Sequence, residues 1–314
     1  MFINIFYIAK VNLASLNGSE GTGGNITPIK KVSDFKGNQF AYVSGQALRR
    51  YLKETLMQLG AIISGVDESG EPFGLEFDQD IFDRKAGKIK DKKVLFEKLV
   101  DLDLFGYMLP KGGRRWSPVK VSPLISIYPY KGEYDYLTRK KRVESEAPKT
   151  GNIVQVEIDT FNYMRGNIII DCSKIGVDID EYTYGREEML SKSEIASRIN
   201  LLIDAIKNLN GGAKSSRNLE DISPQFVVAV RQKSANPFLL NCFSNYEKNH
   251  TFKAENVLNL LNEHKDITEK VSIGLNGHIF DDNFDLLNHN GYHISSPRQA
   301  LDAMKILDDE INKI

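Results

Sequence analysis

The sequence predicts an α+β fold: a ferredoxin-like sandwich, two helices packed on one sheet, interrupted by large insertions. Three observations predict it. The opening Phe2–Ile8 is too short to span a membrane and reads as a buried first strand, with residues 2–13 taken as that strand. Two amphipathic stretches, 44–59 and 191–209, have helical periodicity. Strand-like segments alternate with them in the order strand, helix, insertion, strands, helix, strand.

Each element has its own warrant. In 44–59, Ser44 is a suitable N-cap, and Leu48, Leu52, Thr55, Leu56 and Leu59 fall on one side of the helix. From 61 to 120 the pattern loosens around Gly65, Gly70, Pro72, Gly74, Gly87 and Gly106, with one helical run near 90–105. This reads as an insertion outside the central sheet. Leu124-Ile125-Ser126-Ile127 is strand-like, and the polar, breaker-rich residues 129–151 read as a protruding loop or hairpin. Val154–Asp159 alternates with period two, and Asn167–Asp171 forms another strand after an expected turn at Arg165-Gly166. In 191–209, Ser191 and Glu194 fit a capping box, Ile195, Ile199, Leu202, Ile203, Ile206 and Leu209 form a stripe, and Gly211-Gly212 ends the helix. Phe226–Val230 reads as a central strand, with helices expected near 254–264 and 297–313.

Composition bounds the function. The 314 residues, 41% hydrophobic and 26% charged, describe a soluble globular protein of one large domain with elaborations, or two domains. No window is apolar for long enough to cross a membrane, and no signal peptide is evident. Cys172 and Cys242 lie far apart and fit no metal spacing, which favours a reduced, cytoplasmic setting. The net charge of −1 gives no global pull on nucleic acid, but the cations are segregated. They gather at 84–93, at Lys111, Arg114, Arg115 and Lys120, and at Arg139-Lys140-Lys141-Arg142. Such a distribution suits a protein that grips a polyanion with one surface and a protein with another.

The densest candidate site lies at the start of helix 44–59. Gln46, Arg49, Arg50 and Lys53 fall opposite the apolar stripe, in the first turns where the helix dipole disfavours cations. Upstream lie Gly18, Gly21, Gly23 and Gly24, then Lys30 and Lys31. Backbone amides, a hydroxyl, a carboxamide and long cations together can hold a phosphate chain. The alternative is a solvated helix face. The loop Gly211-Gly212-Ala213-Lys214-Ser215-Ser216-Arg217 is a second candidate, or a plain helix cap. Residues 139–142 beside Tyr128, Tyr130, Tyr134 and Tyr136 suit stacking on a single strand, or form a solvated loop. Trp116, flanked by Arg114 and Arg115, either stacks likewise or anchors its own loop. Catalysis finds little support. His289 and His293 have a metal-ligand spacing, but Asn290-Gly291 breaks the helix it requires, and the pair Asp281-Asp282 reads as a surface or turn feature.

As a set, these words resemble the DevR/Cst branch of the CRISPR-associated "Cas-seven" family, the type I-B-like Cascade backbone of the RAMP superfamily. The set comprises Phe2-Ile3-Asn4-Ile5, the Asn17 loop, Lys31 ahead of Ser44-Gly45-Gln46-Ala47-Leu48-Arg49-Arg50, Leu104-Phe105-Gly106-Tyr107-Met108, Phe161–Gly166 and the Gly-Ala-Lys loop. The likeness covers roughly residues 1–235. The resemblance implies an RRM-like palm with inserted fingers and a thumb hairpin. Its palm would be 1–60 and 121–235, its fingers 61–120, its thumb about 129–152, and residues 236–314 would complete the palm with C-terminal helices. It also implies that copies stack along CRISPR RNA as a helical filament, with other Cascade subunits, and present the guide to target DNA in antiviral defence. Carried over by position, Lys31, Ser44, Gln46, Arg49 and Lys53 would contact the guide backbone, joined by Lys214 and Arg217; Asn17, Lys30, Arg50, Arg139 and Lys140 complete the expected RNA-binding set. RNA-cleaving relatives carry an Asp before a Ser-Pro or Thr-Pro step, where this chain reads Gly24-Asn25-Ile26-Thr27-Pro28. The expectation is a binding subunit with no enzymatic activity, cofactor, metal or membrane partner. The alternatives are a metal-independent guide-processing ribonuclease of the same superfamily, or a duplex-DNA-binding regulator.

Overall fold

The computed structural model describes residues 1–16, 26–68, 70–109, 111, 113–138, 153–180, 182–212, 220–242, 253–277 and 284–313. It is a mixed α+β structure organised on one large mixed sheet. Across that sheet the strands run Ile294–Ser295, Thr268–Leu275, Phe226–Gln232, Phe2–Ala14, Ile153–Asp171, Leu124–Ser126, Gln39–Val43 and Lys31–Ser33. Val119–Val121 joins by pairing with Ile168–Ile170. The central neighbours are antiparallel, with Phe2 opposite both Asp171 and Gln232. Two short pairings at the margins are parallel, Ile26–Thr27 on Gln155–Val156 and Ile294–Ser295 on Ile273–Gly274.

Both faces of the sheet are covered, which is why its strands read as near-continuous apolar runs. Side chains alternate across a strand. Ile3, Ile5, Tyr7, Ala9 and Val11 face a cluster containing Leu48, Leu52 and Leu56 of helix Gly45–Gln58 and Ile199, Leu202 and Ile206 of helix Lys192–Lys207. Phe6 and Ile8 point the other way, into Phe226, Val228, Phe238, Leu239, Val257 and Leu287. The Ser191–Glu194 capping box forms as expected.

The segment 61–118 folds into short hairpins and helices, and its Leu95, Phe96, Leu99, Leu102 and Leu104 belong to the helix-side cluster. Helix Val100–Phe105 buries two aspartates completely. Asp101 accepts from the Ser64 N–H and hydroxyl, both at 2.7 Å, and pairs with Lys53 Nζ at 2.8 Å. Asp103 joins Arg115 at 2.5 Å, Arg198 at 2.7 Å and the Gly176 N–H. A buried carboxylate persists only when paired in this way. The two acids therefore fasten the segment to both long helices.

Several sequence expectations need correction. No turn occurs at Arg165-Gly166: Ile153–Asp171 is one unbroken strand, and Gly166 lies close under Leu124 and the Tyr7 ring, which a Cβ there would approach to 3.0 and 3.3 Å. The run near 90–105 is two helices meeting at Leu99. Val119–Val121, assigned to the insertion, is in the sheet. Leu59 lies on the surface at 40% exposure because the helix stops before it. The expected helix 297–313 is a short helix, Pro297–Asp302, and a 3₁₀ turn, Asp308–Lys313. The helix Lys192–Lys207 closes on Asn208, so Gly211-Gly212 is not its cap.

Candidate nucleic-acid interface

The edge strand Lys31–Ser33 pairs with Gln39–Val43, which runs directly into the cap of helix Gly45–Gln58. Lys31 and the first helical turn thus share one rim of the sheet. The Lys31 ammonium lies 4.9 Å from the centroid of the Tyr130 ring, a contact of about 0.5–1 kcal/mol at an exposed site. Tyr130 is itself fixed, its N–H donating to the Gln39 carbonyl at 2.7 Å. Tyr128 is gripped from both sides by the buried Asn162, whose Oδ1 accepts from the Tyr128 N–H at 3.2 Å while its Nδ2 donates to the Tyr128 carbonyl at 3.1 Å. Lys30 is half-buried beside Lys31, its carbonyl accepting from the Tyr42 N–H.

Ser44 caps the helix, its hydroxyl accepting from the Ala47 N–H at 3.3 Å. Gly45 sits so tightly against the neighbouring strand that a Cβ would come within 2.6 Å of the Val121 carbonyl. Gln46 is exposed. Arg50 is exposed and ion-paired along the helix to Glu54 at 2.8 Å. Arg49 leans over the strand towards the Val119 carbonyl, 3.5 Å away, and its half-burial lowers its pKa from the ordinary value. Lys53 is tied to Asp101. The cationic face proposed from the sequence is thus graded: Arg50 on the surface, Arg49 leaning over the strand, Lys53 drawn inward.

The roots of the two Gly-rich loops meet on this same helix. The Tyr51 hydroxyl donates to the Leu16 carbonyl at 2.5 Å, just before the first loop. Gly211, with φ of 159°, lies against the Tyr51 ring so closely that a Cβ would come within 2.4 Å of it. Gly212 lies beside Leu16, and burial pushes the Tyr51 phenol above its usual pKa. Asn17, Arg139, Lys140, Lys214 and Arg217 lie outside the described residues, as do residues 139–152 of the expected thumb. Its described flanks, Glu133–Thr138 and Ile153–Ile158, pair as an antiparallel hairpin.

Elsewhere, Cys172 and Cys242 are free and buried. His264 stacks on Phe238 with centroids 4.2 Å apart, and His289 ends the short helix Asp285–His289. Among the described residues no group of three or more His, Cys, Asp or Glu side chains could hold a metal ion, and no helix is long and apolar enough to cross a membrane.

The model of the family described as CRISPR-associated negative auto-regulator DevR/Csa2 matches residues 5–251. The chain belongs to the DevR/Csa2 family. This DevR/Csa2 chain is 25% identical over 273 residues to a CRISPR-associated protein Cas7/Cst2/DevR of Methanocaldococcus jannaschii, covering 77% of this chain and 85% of the relative. It is similar in fold to a chain of the solved "CRISPR RNA-guided surveillance complex, pre-nicking", with a TM-score of 0.61, 13% identity and coverage of 97% and 99%. A chain of a second "CRISPR RNA-guided surveillance complex" is similar with a TM-score of 0.57, 15% identity and coverage of 97% and 98%. The structural likeness, covering 97% of the chain, reaches past residue 251, where the family match ends. The DevR/Csa2 match does not reveal Tyr130 as a partner of Lys31 or Asp101 as a partner of Lys53. No local spacing signals either pair, since both join residues from separate elements.

Proposed function

We propose that this chain is a non-catalytic backbone subunit of a type I Cascade complex, copies of which lie along CRISPR RNA and present it for pairing with target DNA. The observation that carries the reading is the family match over residues 5–251, spanning the whole cationic rim. The central strand order, Phe226–Gln232, Phe2–Ala14, Ile153–Asp171, Leu124–Ser126, with long helices after the first and third strands in sequence, supports a ferredoxin-like palm. In this reading 61–118 are the fingers, Val119–Val121 returns to the palm sheet, about 129–152 are the thumb, and Phe238, Leu239, Val257 and Leu287 cover the palm's second face.

The guide's sugar-phosphate chain would follow the rim from Lys30 and Lys31 past Ser44, Gln46, Arg49 and Arg50, with Asn17, Lys214 and Arg217 arriving from loops rooted at Tyr51, and Arg139 and Lys140 from the thumb. Lys53 joins through its outer edge while its ammonium holds Asp101. Phosphate contacts position a strand without reading it, so any spacer sequence is accepted. The partners implied are the guide, the target strand, further copies and other Cascade subunits. Electron microscopy of the protein co-expressed with a repeat–spacer transcript tests the reading. Regular RNA-containing filaments or arcs are expected; RNA-free monomers would contradict it, and cleaved repeat RNA would favour the ribonuclease alternative.

A further inference from the structure

Trp116 is the only tryptophan in the sequence, and it stands at the surface with 69% exposure. Its neighbour Arg115 does the anchoring: the guanidinium is buried, donating to Asp103, to the Val177 carbonyl at 2.7 Å and to the Lys174 carbonyl at 2.6 Å. The ring is therefore not needed to hold its own loop. The Arg114 guanidinium lies over it, 4.8 Å from the centroid. Opposite is the tip of the hairpin Val177–Ile179 and Arg186–Glu188, where Tyr184 is 78% exposed with φ of 58°. That conformation is uncommon for a bulky residue. Asp180 fixes the tip by accepting from the Tyr182 N–H and from the Thr183 N–H and hydroxyl, while the Tyr184 N–H donates to the Asp180 carbonyl.

Arg114, Trp116, Lys174, Ile179 and Tyr184 line a cleft of about 290 Å³. Its acids are already engaged, Asp178 with Lys92 at 2.6 Å and Asp180 with its own turn. Exposed rings gathered at one concavity mark a binding site, and this one is at the small end of ligand-pocket sizes. A helix or strand of a protein partner is too wide for it, whereas one planar base fits. Rings beside an arginine are the arrangement that stacks bases irrespective of sequence.

We propose that this cleft takes one unstacked base of a nucleic-acid single strand, stacked on Trp116, closed by Tyr184, with Arg114 facing its phosphates, while Lys174 at the cleft's edge is paired to Asp171 at 3.1 Å. The choice of ligand rests on the guide-binding reading; the geometry uses none of the rim residues. Because Trp116 is the sole tryptophan, its fluorescence reports on this cleft alone. The test titrates a short labelled oligothymidylate into the full chain, both guide-loaded and RNA-free, reading Trp116 emission and the anisotropy of the label together. Saturable quenching is expected. Trp116→Ala and Tyr184→Ala should weaken binding about five- to a hundredfold, with Trp116→Phe staying within about threefold of the parent. Both positions are exposed, so the fold should survive. An Arg49→Ala/Arg50→Ala variant that loses guide yet keeps quenching would support the cleft as a separate site. Quenching by a chain that never retains guide would support the cleft and sink the guide-holding reading. Binding with unchanged emission would overturn the cleft as a base site. So would absent binding while Trp116→Ala instead weakens assembly with other copies on a sizing column, which would make it a protein contact.

Discussion

Asp103 has no exposure and serves two arginines at once, Arg115 from the insertion and Arg198 from helix Lys192–Lys207. Removing it leaves two guanidiniums buried without their acid, and breaking a buried pair costs about 3–5 kcal/mol. Asp103→Ala should lower the unfolding free energy by about that amount in urea denaturation; a change within about 0.5 kcal/mol would refute the pinning role. Lys53 obeys the same logic. Lys53→Ala strands Asp101, so a loss of guide binding in that variant would mix folding with recognition, and Arg49 and Arg50 are the cleaner probes. At the C-terminus, hydrogen bonds from Arg231 hold the Glu310 carboxyl down to about 2, from an ordinary 4.5. A depressed carboxylate stabilises the fold above its unfolded pKa and loses that contribution as pH falls through the folded one. Between about pH 4.5 and 2 stability should therefore decline in the parent chain and decline less steeply in Glu310→Gln, as followed by thermal melting at stepped pH. An identical slope in the two would argue against the pair.

At the scale of elements, helix Gly45–Gln58 is the organiser: its cap opens onto the rim, its buried face meets the first strand, and Tyr51 receives the roots of two loops. Ser44→Ala removes the acceptor for the Ala47 N–H and should cost about 1 kcal/mol in stability. Gly211→Ala should cost more and also weaken guide retention on a heparin or RNA column, because the added methyl displaces the Tyr51 ring; normal retention would detach the second loop from the interface. The long helices were legible because capping and periodicity are local. The continuity of the strand through Arg165-Gly166 was not: a glycine in a strand marks either a bend or a close approach, and the neighbours that reveal a close approach, Leu124 and Tyr7, come from other strands. Gly211-Gly212 was opaque for the same reason, since its glycines answer to Tyr51 and Leu16 and not to the helix they follow.

The described residues form a sheet clothed on both faces, by the long helices, the insertion and the C-terminal Ala300, Leu301, Met304 and Ile306 on one, and by Phe238, Leu239, Val257 and Leu287 on the other. The helix face could be predicted from stripes. Of the second face only the helix expected near 254–264 could, found as Ala254–Glu263 with Val257, Leu258 and Leu261 buried; Phe238, Leu239 and Leu287 come from short segments with little period between them. Of the proposed binding rim, the sequence shows which residues carry charge but not how far each is committed internally: Arg50 to Glu54, Lys53 to Asp101, Lys31 over Tyr130. That grading singles out Arg49 and Arg50 for the decisive measurement, the salt dependence of guide-RNA affinity in the parent chain and in Arg49→Ala/Arg50→Ala. If the rim clasps a phosphate chain, the double variant should bind guides of unrelated sequence more weakly by a similar factor. Its slope of log affinity against log salt should be shallower by about 0.7 for each phosphate that the variant no longer neutralises. Equal affinities and equal slopes in the two proteins would contradict the account.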